Sequence, residues 1–195
     1  MKAPRPPVMI EGRHAEVLEE ARVLARAVEP MAIEADESSV IHQPMADALA
    51  ASGLCSLMVP AKYGGRFETV DPLAACLVRE ALMKTSSHID SLFALQGIGS
   101  YAISMVGSEE QREKWLPAVG RCEARAALAL TEPVAGSDLK SVRTKVTARD
   151  GDLIVEGSKS FISNAGEADF YTTLVREGDG HSLILIPADA DGVTV

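Results

Sequence analysis

Aromatic residues are scarce in this chain, at 4% of 195 residues, and only one of them is tryptophan. Cysteine is scarce too. Cys55, Cys76 and Cys122 are odd in number, widely spaced and never paired as C-x-x-C, which excludes a disulfide scaffold or a zinc knuckle and predicts reduced, mostly buried thiols. Basic charge is in deficit: 19 Lys and Arg against 28 Asp and Glu leave a net charge of -9 and a pI near 5.0. No basic stripe interleaves with aromatics, so a nucleic-acid surface is excluded as the main business. His14, His42, His88 and His181 share no metal-ligand spacing. Met1 to His14 has no apolar core of a secretory signal, and no apolar stretch reads as long enough to span a bilayer. A cytoplasmic location is expected. No G-x-G-x-x-G run occurs, which removes the dinucleotide fingerprint of a doubly wound sheet.

What remains is 47% hydrophobic and 24% charged, enough for a buried core. Up to about residue 124 the apolar residues follow a helical period. Val17, Leu18, Ala21, Leu24, Ala25 and Val28 share one face of a helix ending near Pro30. Pro44 and Gly53 bracket a second helix. Pro60 and Gly64-Gly65 mark a loop, and Asp71-Pro72 reads as N-cap and first residue of a third helix. A fourth, from about Ser87 to Met105, is apolar on most sides and is expected to be buried. Ser108 and Gln111 form a capping box for a fifth, around Arg112 to Leu116, where Trp115 reads as a core anchor.

From residue 125 the period becomes two. Val142, Thr144, Val146 and Ala148 alternate with Arg143, Lys145, Thr147 and Arg149. Asp150-Gly151 signals a hairpin into Leu153 to Glu156. Two more strands, Phe170 to Arg176 and Ser182 to Ile186, flank a Gly-rich turn. The expected fold class is α+β: an all-α domain over residues 1–124 and an antiparallel β domain over 125–195. The pattern stops at Val195 just as another strand begins, so the chain reads as the front half of a longer protein or as a separately encoded half.

The segment Ala129 to Ser141 (A-L-T-E-P-V-A-G-S-D-L-K-S) gathers donors. Gly136 lets backbone approach a ligand, and Thr131 and Ser137 place hydroxyls near those amides. On these residues alone, an anion-binding loop and a plain polar turn joining helix to strand both stand, and the turn is the simpler reading.

This run closely resembles the signature of the acyl-CoA dehydrogenase family, with Thr131, Glu132, Gly136, Ser137 and Asp138 at family positions. Three further blocks resemble the family in the same order: Val59 to Gly65 (V-P-A-K-Y-G-G), Gly107 to Pro117, and Lys159 to Asn164 (K-S-F-I-S-N) followed by Ala168-Asp169. The resemblance implies a helical N-terminal domain, a β middle domain and a C-terminal bundle, usually as a tetramer. It implies FAD as cofactor, an acyl-CoA thioester as substrate and an electron-transfer acceptor protein as partner. Residue by residue, it implies that Leu128 and Leu130 line the flavin ring with backbone groups and that the Thr131 hydroxyl bonds it. Gly136 and Ser137 lie near the pyrophosphate, Ser137 also near the pantetheine arm. Phe161 packs on the flavin, the Ile162 backbone touches it and the Ser163 hydroxyl reaches N5. Ser91 and Ala94, beside Asp90 on the fourth helix, fall where the family builds the acyl cavity. Glu132 and Asp138 would hold the loop, and the catalytic glutamate would come from a later segment, so no residue here is expected to be catalytic. Four positions depart from the common pattern: Phe161 for Trp, Ser163 for Thr, Val134 for Gly and Leu128 for Tyr. Two other readings share the scaffold: a flavin oxidase or monooxygenase, and a non-catalytic half that binds a partner chain.

Overall fold

The computed structural model describes residues 10–195, so the reading of Met1 to His14 lies mostly outside the described residues. The helical half comprises α1 (Arg13–Val28), α2 (Ala32–Glu37), α3 (Gln43–Ser52), α4 (Pro72–Met83), α5 (Ser87–Val106) and α6 (Glu109–Gly120). The punctuation behaves as read. Asp71 accepts from the Leu73 and Ala74 amides at the head of α4, and Gly53 ends α3 in the left-handed region. Ser108 and Gln111 complete a reciprocal box on α6. That helix runs one turn further than expected, through Pro117, because Leu116 and Val119 are both fully buried and hold the turn in place.

Val17, Ala21 and Val28 of α1 meet Met45 of α3, Val78 and Leu82 of α4, and Ile89 and Phe93 of α5 in one apolar core. Of the cysteines, all free, Cys55 is buried in that core, Cys122 is half-buried against it and Cys76 is exposed. The expectation that no apolar stretch reads as long enough to span a bilayer needs correction at α5. At 20 residues it is long and apolar enough to cross a membrane, yet half of it is buried within the protein itself. It packs between α4, α6 and the sheet, which accounts for its apolar surface on most sides. Asp90 on the same helix is fully buried and held by a bidentate pair with Arg79, at 2.9 and 2.7 Å.

The β half contains β1 (Ala126–Ala129), β2 (Lys145–Arg149), β3 (Asp152–Glu156), β4 (Phe170–Glu177) and β5 (Gly180–Pro187). The two hairpins, β2–β3 and β4–β5, are antiparallel as expected. Asp150 and Gly151 both take positive φ, 54° and 95°, as a two-residue hairpin of right-handed twist requires. The sheet as a whole is mixed, which corrects the purely antiparallel expectation. β1 runs parallel to β4, with Ala126 opposite Phe170, and β2 joins β4 in parallel at Lys145 and Arg176 only. The cause is the connection. Some forty residues separate β1 from β4, and parallel neighbours need a long crossover that leaves no local turn signal. Because β2 leaves β4 after one residue, the β2–β3 hairpin projects past the sheet. Val142, Thr144 and Val146 are buried in alternation, but Ala148 is exposed along with Leu153 and Ile154.

A second core joins the halves. Trp115 packs on Phe170 with ring centres 4.6 Å apart, among Ile103, Leu116, Val119 and Ala126. Gln96, buried on α5, donates to the Ala124 carbonyl at 2.8 Å and accepts from the Ala126 amide at 3.1 Å. Thr172 on β4 donates to the Gly99 carbonyl at 2.6 Å. A Cβ at Gly99 would fall 2.6 Å from that of Ala126, so only glycine lets α5 lie this close to β1.

Candidate functional site

The site grows from the end of β1. Leu128, on that strand opposite Thr172, is half-buried; Leu130 and Thr131 follow directly and are also half-buried. Glu132 and Ala135 then exchange backbone hydrogen bonds, 2.8 and 3.2 Å, closing a tight turn over Pro133 and Val134. Gly136 and Ser137 emerge from it exposed, and a Cβ at Gly136 would meet nothing within 4 Å. Asp138 accepts from the Lys140 amide and the Ser141 hydroxyl, so it shapes its own loop.

Lys159 to Asn164, more than twenty residues on, returns to this point. The Ser160 amide donates to the Thr131 carbonyl at 2.9 Å, and the Lys159 ammonium donates to the Leu130 carbonyl at 3.0 Å. The same ammonium reaches Glu132 at 2.8 Å. Glu132 is only 5% exposed, and its second oxygen accepts from the Arg143 amide at 2.6 Å while the first also takes the Thr144 amide at 2.9 Å. Burial works against the ionised form, but Lys159 and the Arg143 and Thr144 groups outweigh it and lower the carboxyl pKa to about 2. Glu132 is thus a permanent anion tying three segments together. With three donors on it and its pKa depressed, it is unsuited to taking a proton from a substrate.

The two segments read as flavin-binding, Leu128 to Ser137 and Phe161 to Ser163, therefore lie side by side. Phe161 is 95% exposed at a φ of 57°, a conformation that costs a non-glycine residue about 1 kcal/mol or more. The bulky ring is thus held out in solvent on a strained backbone. Ser163 is exposed and Ile162 half-buried. Asn164, at a φ of 65°, ties the loop to β1 by donating to the Ala126 carbonyl at 3.3 Å. The two helical candidates separate: Ser91 is exposed, while Ala94 is buried.

Sequence reasoning missed Lys159 as the tie between segments and Asn164 as an anchor. Both stand inside a recognised block, but only the fold brings their partners near.

Residues 12–123 match the acyl-CoA dehydrogenase N-terminal domain and residues 127–195 the acyl-CoA dehydrogenase middle domain. The chain belongs to the acyl-CoA dehydrogenase family. Over 188 residues it is 32% identical to "Probable acyl-CoA dehydrogenase FadE25" of Mycobacterium tuberculosis, covering 93% of this chain and 48% of that protein. Among solved structures it is similar to butyryl-CoA dehydrogenase from Megasphaera elsdenii, with TM-score 0.86, 25% identity and coverage of 96% of this chain and 51% of that one. It is also similar to a glutaryl-CoA dehydrogenase from Mycobacterium smegmatis in complex with FADH2, with TM-score 0.85, 27% identity and coverage of 93% and 47%. The chain spans about half the length of these relatives.

Proposed function

We propose that this chain supplies the flavin-facing half of an FAD-dependent dehydrogenase that forms an α,β double bond in an acyl-CoA thioester. The observation that carries the reading is the junction of Thr131 with Ser160. It ties the segment Leu128 to Ser137 to the segment that carries the exposed ring of Phe161, which supports their acting together. The residues suit the cofactor: an open Gly136, exposed hydroxyls at Ser137 and Ser163, and an aromatic face awaiting a planar partner.

FAD bound there would supply the two-electron acceptor for the β-hydrogen of the thioester. The chain's own part is electrostatic and positional. The Thr131 and Ser163 hydroxyls would donate to the ring edge, where charge would grow on reduction, and Gly136 and Ser137 would offer amide and hydroxyl donors to the pyrophosphate. Glu132 and Lys159 keep both loops preorganised, so those donors need not reorient during the reaction. The α-proton is taken by a carboxylate outside these residues. The same reading includes a cytoplasmic location, an oligomer and an electron-accepting partner protein; three free cysteines support the reducing compartment.

The test is flavin titration of the protein expressed from its complete reading frame. Yellow protein with flavin bleached by an acyl-CoA is the expected result. A colourless protein that takes up no FAD would sink the reading.

A further inference from the structure

Beside the flavin-facing loops lies a cleft of about 380 Å3, bounded by the segment between α2 and α3, the first turns of α5 and the loop after Phe161. Ile162 and Asn164, on either side of Ser163, line it, so it opens where the reacting end of the flavin is proposed to lie. Ser91 is on its wall, whereas Ala94 is buried and does not reach it. Its volume lies in the range of small-ligand sites.

The charge of the cleft is one-sided. Asp36 and Glu167 line it, and among the described residues no Lys or Arg does. Burial works against the Asp36 anion, but the Ser86 hydroxyl and the His88 and Ser87 amides hold its pKa below the usual range, so it stays ionised. Glu167 has Arg125 only at 3.8 Å. The one other titratable group, His88, brings no positive charge. Its Nε2 accepts from the His42 amide at 3.0 Å, and burial first, then His42, lowers its pKa, leaving it neutral at pH 7. Of the apolar side chains of α5, Leu92 lines the cleft together with Val40, Ile41, Ile162 and Ala165 from the other walls. Ile89 and Phe93 are sealed in the helical core, so among the described residues no apolar well continues inward past Leu92 for a long alkyl chain. The α5 residues that do face the cleft include Ser87 and Ser91, whose hydroxyls both donate and accept.

We propose that this cleft takes the acyl group and selects short uncharged acyl groups, a terminal hydroxyl being favoured, over dicarboxylic and long-chain ones. The inference rests on the dehydrogenase reading above. A second carboxylate would enter a cleft whose described lining holds two carboxylates and no cation, the nearby Arg125 already being drawn to Glu167, and would lose its hydration without a partner. A terminal hydroxyl keeps a partner at Ser91. The chain shares its fold with a glutaryl-CoA dehydrogenase, so the prediction separates it from a structural neighbour that acts on a dicarboxylic acyl group.

The experiment uses the protein expressed from its complete reading frame and loaded with FAD. Butyryl-, 4-hydroxybutyryl-, glutaryl- and decanoyl-CoA are titrated without oxygen while flavin absorbance is followed. Glutaryl-CoA should bind at least about tenfold more weakly than butyryl-CoA. Ser91→Arg, and separately Glu167→Gln, should narrow that gap, and Ser91→Ala should weaken 4-hydroxybutyryl-CoA alone, by about fivefold. Glutaryl-CoA binding as tightly as butyryl-CoA, decanoyl-CoA binding more tightly, or a gap unmoved by both charge variants overturns the cleft assignment and leaves the dehydrogenase reading standing. A flavin spectrum that no thioester perturbs overturns both.

Discussion

The two halves of the chain bury their apolar residues differently. In the helical half, Met45, Leu54, Leu82, Ile89 and Phe93 are fully enclosed by neighbouring helices. In the β half the enclosed cluster around β1 is small, built on Ala127, Ala129, Ala168 and Tyr171. Leu153, Ile154, Phe161 and Leu183 stay exposed there. The helical half thus encloses its largest side chains within itself, while the β half buries Phe170 and Val175 but leaves the Phe161 ring exposed on the loop proposed to bind the flavin.

The largest test of this contrast is a pair of Phe substitutions. Phe93→Ala should destabilise the protein by about 3–5 kcal/mol through the cavity it leaves, read as a lower urea midpoint. Phe161→Ala should leave the stability within about 0.5 kcal/mol of the parent while weakening flavin binding. Equal losses from both would erase the distinction.

Next in size is the loop tie. Glu132→Gln leaves the nearly buried Lys159 ammonium without its anion and should cost about 3 kcal/mol, with faster amide exchange at Ser160 and Thr144. The pH dependence follows from the depressed pKa. Its contribution is complete above the ordinary carboxyl value of 4.5 and is lost as pH falls towards about 2. An acid-unfolding curve should lose its component between those limits in Glu132→Gln.

Asp71→Ala, which removes the cap of α4, should cost about 1 kcal/mol and leave flavin binding alone. The smallest effect is expected at the projecting hairpin: Ile154→Lys should change stability by less than about 0.5 kcal/mol yet reduce self-association in sedimentation. A large loss of stability there would mean that β3 is better packed than its exposure shows.

Helices and hairpins were legible in the sequence because their signals are local. Asp71-Pro72, Ser108 with Gln111, and Asp150-Gly151 each act within four residues, and each was found where read. The two loops proposed to bind the flavin were legible as separate blocks, since Thr131 and Ser163 each sit in a recognisable run. Tertiary structure alone decided that the Ser160 amide meets the Thr131 carbonyl, that Lys159 spans Leu130 and Glu132, and that β1 lies parallel to β4. It also decided that Ser91 faces a cleft while Ala94, one turn on, is buried. The reason is range. Capping and hairpin turns are settled by neighbours along the chain, whereas parallel pairing and the polarity of a cleft depend on segments that only the packing of α5 against β1 brings together.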